Sequence, residues 1–489
     1  MLTPEPTKFL VDRFDLRFRG ARKRDDAGPQ FARAVSFSCP RRRVTGGMTL
    51  AKRHLLMLGL LLGGGALSSA ACSDAKIVTI GDGDAGEAGD TGSHAGSGNA
   101  GSGGDAGSNS AAGEGGEGGE GGEPPYEFPP SLNPQAVVVV GPEPSTSSTL
   151  LVGGTDYATT EIVSITIGTG AIGDSHTYTD GDAVATSSAG VGFAIERTND
   201  KVHLLNGGKI GTTFDLKDLG TNNVAVDQKA YVPVLNQSLI VVLDLGEGKV
   251  SHRIDLNEYN APGDSDHSAD IADGVYDPNT KIAYFLLQRI DINSIFADPN
   301  YQLHCPSYRG LIVGIDSETD EVVDLNGNAT GKAIELQLVS PGSLSINADG
   351  SALYLVANGC YEGDEKVHQG VEVVDPTNGS TTVAYEATGS DYLSRLIRLN
   401  DTGETLLESS DLGVTHWHKL DLASGKLGAE LANVPEAPSF DGTDLLGVEV
   451  TGKVGKVVRY KLATGTSTPI SATSWAGEYG TASATALVQ

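Results

Sequence analysis

Beyond residue 131 the apolar residues of this 489-residue chain never hold a helical period. They fall in short β-branched runs separated by turns rich in Gly, Asn, Asp and Thr, the pattern of an all-β fold. One phrase recurs: an apolar strand, a polar residue, Gly four residues later, then a second strand. IVVLDLGEGKV carries it with Asp244 and Gly248, VEVVDPTNGST with Asp375 and Gly379, and WHKLDLASGKL with Asp421 and Gly425. VRYKLATGTST adds Lys461 and Gly465, and IVSITIGTGAI adds Thr166 and Gly170. Two copies are degenerate. IVGIDSETDEV has Asp320 where Gly is due after Asp316, and HLLNGGKI compresses the turn around Asn206. The seven positions are 166, 206, 244, 316, 375, 421 and 461, at spacings of 40, 38, 72, 59, 46 and 40.

A period near 40 residues that holds four short strands predicts a propeller blade. The third unit shows all four, at 223–226, 230–235, 239–244 and 249–255. Tandem sandwiches, the rival architecture, do not repeat in groups of four strands behind one turn phrase. A second phrase marks the turn between the first two strands of a unit: INADGSALYLVANG, VYDPNTKIAYFLLQ and RLNDTGETLLESS. Asp or Asn followed by Gly supplies the turn chemistry. INADGSALYLVANG resembles the YVTN or YncE-like propeller repeat, in which a Pro-Asp-Gly turn precedes a strand containing Tyr-Val. The resemblance is fullest over 342–385 and partial over 269–287 and 392–425. It implies an all-β, seven-bladed β-propeller of four-stranded blades over 131–489, with a central channel. The runs 136–140 and 485–488 are expected to pair and close the ring.

The first 130 residues read differently. A basic stretch, 52–54, precedes an apolar run of 13 residues, 55–67, then small residues and Cys72. A bilayer of about 30 Å needs about 20 apolar residues, so this run is a secretory signal segment and not a span. Ser69-Ala70-Ala71-Cys72 resembles a bacterial lipobox, which implies a diacylglyceryl thioether on Cys72; Ser73 then permits sorting to the outer membrane. Ser69 stands where that motif carries Leu, which leaves ordinary signal-peptidase cleavage as the alternative. The signal peptide is assigned to 48–71, and 1–47 reads as an extension from a misassigned gene start. Residues 72–130, rich in Gly, Ala, Ser and Glu, hold almost nothing to bury and cannot offset their ordering entropy. They read as a disordered linker, whose 45 or so central residues reach roughly 35–40 Å. The expected product is exported and lipid-anchored at the outer membrane or cell surface, with its globular part periplasmic or extracellular.

Charge sharpens the choice of partner. The chain carries 34 Lys+Arg against 63 Asp+Glu, a net of -29. The part beyond residue 124 alone holds 20 against 48, so it repels phosphate backbones and nucleic acid is not an expected partner. Two units are long. Their links between strands two and three run over 288–310 and 358–370, and each holds one cysteine, Cys305 and Cys360. With Cys72 lipidated and Cys39 outside the mature chain, an oxidising compartment leaves these two to form a disulfide. Neighbouring blades place the two links side by side on one face. Arg289, Tyr301, Tyr308, Arg309, Tyr361 and His368 supply the residue types enriched at binding hot spots, against a plain capping role.

Catalytic signals are thin. The run Gly168–Gly173 matches G-x-G-x-x-G but coincides with a blade turn and opens no helix, and neither a G-x-S-x-G elbow nor a C-x-x-C-H site occurs in 131–489. His416 and His418 share one strand face without a visible third ligand. Asp264, Asp266, Asp270 and Asp273, with His267 among them, cluster where the fourth unit begins; they are the best metal candidate, for Ca²⁺, against a solvated connection. No cofactor is otherwise expected. The favoured function is a tethered, non-catalytic binding module that meets an envelope protein or a glycan. The alternative is a metal-dependent lactonase or gluconolactonase-like hydrolase working in the channel.

Overall fold

The computed structural model describes residues 134–140, 149–155, 158–216, 229–234, 237–327, 331–389, 391–400, 403–411, 414–451, 454–470 and 481–488. The expected extension, signal peptide, Cys72 and linker lie outside these residues, as do 223–226 and Trp475. Seven antiparallel sheets follow one another around a ring. Blade 2 has the plain form, with strands Ala183–Ser188, Val191–Glu196, Lys201–Asn206 and Lys209–Asp215 in sequence order from inner to outer edge. Blades 5, 6 and 7 repeat it, from Pro341–Ile346 to Ser380–Glu386, Tyr392–Arg398 to Lys426–Glu430 and Glu436–Phe440 to Thr466–Pro469.

All seven repeat positions are the last residue of a third strand: Thr166, Asn206, Asp244, Asp316, Asp375, Asp421 and Lys461. After most of them the turn is closed by a backbone bond from the fourth residue on, as from Gly248 N to Asp244 O at 2.9 Å and from Gly379 N to Asp375 O at 3.0 Å. That fourth residue has φ of 68° at Gly248 and 70° at Gly379, the left-handed region that favours glycine.

Apolar side chains fill the spaces between blades, one cluster at each of the seven junctions. The last closes the circle, packing Leu150, Val152, Val163 and Ile165 of blade 1 on Leu446, Val448 and Val457 of blade 7. Polar clamps add to it. A polar side chain of one blade accepts an inner-strand N–H of the next: Ser188 from Val139, Asp273 from Leu344 and Asn358 from Leu393.

Three expectations are corrected. The runs 136–140 and 485–488 do not pair with each other. The C-terminal strand, Thr481–Val488, is the inner strand of blade 1 beside Thr149–Thr155, whereas Val138–Val140 is the inner strand of blade 3 beside Lys229–Pro233. An open inner edge accepts any apolar strand of matching register, and two distant segments fill two different edges. The place expected for 223–226, beside Lys229–Pro233, is therefore held by the N-terminal strand. Residues 358–370 are not a loop, because Leu353–Glu362 and Glu365–Asp375 pair continuously through them as one long hairpin. Finally, some of the extra length of blade 4 splits its outer strand into Val322–Val323 and Ile334–Glu335, both paired with Leu311–Asp316.

Candidate functional site

In each blade the link from second to third strand and the link to the next blade share one face. On that face the insertion 288–310 and the long hairpin of blade 5 meet. The insertion first continues the blade-4 sheet, Gln288 N to Asp270 O at 2.9 Å and Arg289 N to Ala269 O at 3.1 Å. Asp291 then caps the short helix Ile292–Ala297 by accepting from Ser294 N. Asp298 accepts from the amides of Asn300 and Gln302 and turns the chain back through Tyr301, at φ 56°. The return runs beside the hairpin, with Tyr361 N donating to Leu303 O at 2.8 Å and Cys305 N to Tyr361 O at 3.2 Å. Cys305 and Cys360 are disulfide-bonded there, their Cα atoms 4.9 Å apart. Beneath the bond Ile290, Ile292, Ile295, Leu303, Val339 and Cys360 form a small core separate from the seven between blades. Gly359 is required in this hairpin: at φ 74° a Cβ would stand 2.3 Å from Val367 O.

The six residues expected to form a binding set divide. Arg289 faces inward, its guanidinium donating to the carbonyls of Arg309 and Asn260 and lying 5.5 Å from the Tyr308 ring centroid. Burial and then the charges of Asp264, Asp291 and Asp266 push the Tyr308 hydroxyl up to about 12. Arg309 donates to the carbonyls of Pro306 and Tyr308. These three hold the insertion together. Tyr301 is 41% exposed and Phe296, on the helix, 50% exposed. Tyr361 is half-buried, and His368 lies 3.9 Å from Glu362 on the same hairpin.

Beside the hairpin lies a cleft of about 570 Å³ lined by Tyr361, Asp364, Glu365, Lys366 and Glu386 among others. The Lys366 ammonium sits 4.1 Å from the Tyr392 ring centroid and donates to Asp391 O at 3.1 Å. Burial brings its pKa down to about 8. No local pattern marks Lys366, because the Tyr392 ring belongs to the next blade.

The acidic set is also redrawn. Carboxylate oxygens of Asp264, Asp266 and Asp291 lie within 4.8 Å of one another. Burial, and after it the Asp264 charge against a backbone bond from Ile292, leaves Asp266 raised to about 6. Asp291 was missed; its only sequence signal is the helix cap in Asp291-Ile-Asn-Ser294. Asp270 stands beside this group, its carboxyl raised well above the ordinary range, first by burial and then by the Asp266 charge. Asp273 is elsewhere, in the inner strand Ile271–Asp277, where it accepts from Gly274 N and Leu344 N and burial pushes it up to about 7. His267 is exposed. His416 and His418 bond to Glu430 and to Gly428 O of the outer strand, and Trp417 is buried between blades 6 and 7.

No protein-family model matches the chain, and no curated protein matches it. Solved structures do. A putative 6-phosphogluconolactonase from Bacteroides fragilis is 14% identical over 71% of this chain and all of that one, with a TM-score of 0.44. TolB from Acinetobacter baumannii is 13% identical over 70% of this chain and 67% of its own, at 0.38. Apo AztD from Citrobacter koseri is 11% identical over 70% and 98%, also at 0.38. At these values the likeness says nothing of activity, and the propeller is established by its strand pairing.

Proposed function

We propose that this chain is a non-catalytic binding module, tethered at the cell envelope through a lipidated Cys72, that recognises a glycan at the rim of blades 4 and 5. The observation that carries the reading is the convergence of the two long insertions on one face, covalently stapled over a core of their own. Ordering such surface segments costs entropy that the ring does not need for its stability. The cleft beside the hairpin has the volume of a small-ligand site, and Tyr361 with the Lys366 amine and three carboxylates offers an aromatic face and hydrogen-bonding groups together. The lactonase alternative finds less support. The carboxylate group belongs to the inter-blade connection and the insertion, and none of its three members is on an inner strand.

Titration of soluble cell-wall glycan fragments onto the chain tests the reading. Binding is expected to weaken by about ten-fold or more in Tyr361→Ala and Lys366→Ala, a loss of the size found for truncated hot spots. Phe296→Ala should leave it unchanged. Loss in Phe296→Ala alone would move the glycan site to the helix, and absence of saturable binding to the unaltered chain would point instead to an envelope protein as partner. Calcium-dependent opening of a lactone would overturn the non-catalytic reading. The anchor is checked separately: mass spectrometry of the exported chain should show diacylglycerol on Cys72, and Cys72→Ser should move the chain to the soluble fraction.

A further inference from the structure

A second hollow, of about 180 Å³, lies between blades 5 and 6, with Tyr385, Asp391, Ser409 and His418 in its lining. Sites for whole small ligands run to roughly 300–1,000 Å³, so this one is too small to serve alone. It continues the larger cleft. Ala387, Thr388 and Gly389, in the link from blade 5 to blade 6, line both the hollow and the cleft beside the hairpin. Lys366 from the cleft and Gln369 from the hollow both donate to Asp391 O, so one wall serves the two. The link between them is low: Thr388 and Gly389 are exposed, and a Cβ on Gly389 would meet nothing within 4 Å. A chain molecule seated in the cleft has an open crossing into the hollow.

The two sides of the crossing carry like chemistry. Each offers one half-buried tyrosine, Tyr361 in the cleft and Tyr385 in the hollow, with an apolar face and a polar tip. In the hollow His418 Nδ1 donates to Gly428 O at 3.3 Å. A carbonyl only accepts, so Nδ1 carries the proton there and Nε2 is left to take up a ligand hydroxyl. Ser409 adds a hydroxyl of its own. Charge narrows the ligand further. Asp364, Glu365 and Glu386 line the cleft and Asp391 the hollow, against the single amine of Lys366, and this field repels a chain of anionic sugars.

We propose that the cleft and the hollow are two subsites for one linear, uncharged oligosaccharide, whose chain crosses the link at Thr388 and Gly389. This rests on the glycan reading of the rim and deepens it, because it fixes the class of glycan and carries the site into blade 6. An oligomer held in the cleft presents its far end to the hollow, so the second contact is intramolecular and gains from a high effective concentration. A short oligomer fills the cleft alone and gains nothing from His418 or Tyr385.

Isothermal titration onto the exported chain tests it, with neutral oligomers of glucose and of N-acetylglucosamine, each from one to six sugars long, and oligogalacturonates of the same lengths. One neutral series should bind about ten-fold or more tightly at its long end than at its short end. Tyr385→Leu, which keeps apolar packing, and His418→Ala should each remove most of that gain and leave the affinity of the short oligomer unchanged. Tyr361→Ala should weaken short and long alike. If Tyr385→Leu misfolds, His418→Ala still reads the hollow. Affinity that does not depend on length, a length gain untouched by both blade-6 side variants, or tighter binding of the oligogalacturonates overturns the inference and leaves the rim reading in place. So does binding of cell-wall glycan fragments when no neutral oligomer binds. Binding by neither fragments nor oligomers overturns both.

Discussion

Asp320 breaks the repeat at the one position where glycine is due, and the structure explains why. The residue adopts φ 61°, a conformation Asp tolerates better than most residues but less well than Gly. Its carboxylate is gripped from blade 3, with Lys229 Nζ 2.8 Å from both oxygens, the Tyr231 hydroxyl donating to one, and His252 Nε2 3.4 Å from the other. The strain at one turn thus fastens two blades. Asp320→Gly should therefore destabilise the chain despite easing the turn, by about 2–3 kcal/mol, because Lys229 and Tyr231 are left without their acceptor. Chemical denaturation checks it, and a stabilised variant would show that the turn outweighs the bridge. In the sequence Asp320 registers only as a missing glycine. Its partners stand about 90 positions earlier, so no local pattern carries the reason. The glycine positions themselves were legible because the turn that needs them is closed within five residues.

At the level of strands and loops, covalent and polar fasteners set which segments open first. Cys305 and Cys360 enclose 55 residues, which chain entropy values at about 4 kcal/mol. Cys305→Ser with Cys360→Ser should lower stability by up to that amount. It should also speed amide exchange at Leu303 and Tyr361 while leaving blade 2 protected, a local loosening that hydrogen exchange resolves. The inner strands respond to pH. Asp273 is raised to about 7 by burial between the inner strands of blades 4 and 5. A raised carboxyl favours the folded chain below its ordinary pKa, and the contribution is lost as pH climbs from about 4 to about 7. Asp273→Asn should flatten that part of the pH–stability curve; an unchanged slope would place its cause at another carboxyl. The disulfide could be anticipated from cysteine arithmetic. The hairpin around Cys360 could not, because Asn358-Gly-Cys-Tyr-Glu-Gly-Asp-Glu reads as a turn-rich loop until the insertion packs on it.

For the whole ring, two closures replace the single one expected. Blade 1 waits for the last strand of the chain, and blade 3 takes its inner strand from the first. The run AVVVV was recognisable as an inner strand, but its edge was not, since any inner edge accepts such a sequence. Removing residues 481–489 should expose the inner edge of blade 1 and part the ring between blades 1 and 7. Aggregation and a broadened, lower melting transition are expected, and a sharp, unshifted transition would mean that the strand is dispensable. The first strand has a mechanical consequence. Pro134 bridges to Val234 and Gln135 N donates to Pro233 O, so the chain joins the ring on the face that bears the stapled insertions. A pull arriving from the N-terminal side is delivered to blade 3 at that face, next to blade 4. If the chain is held through Cys72, as proposed, drag would turn the rim toward the anchor.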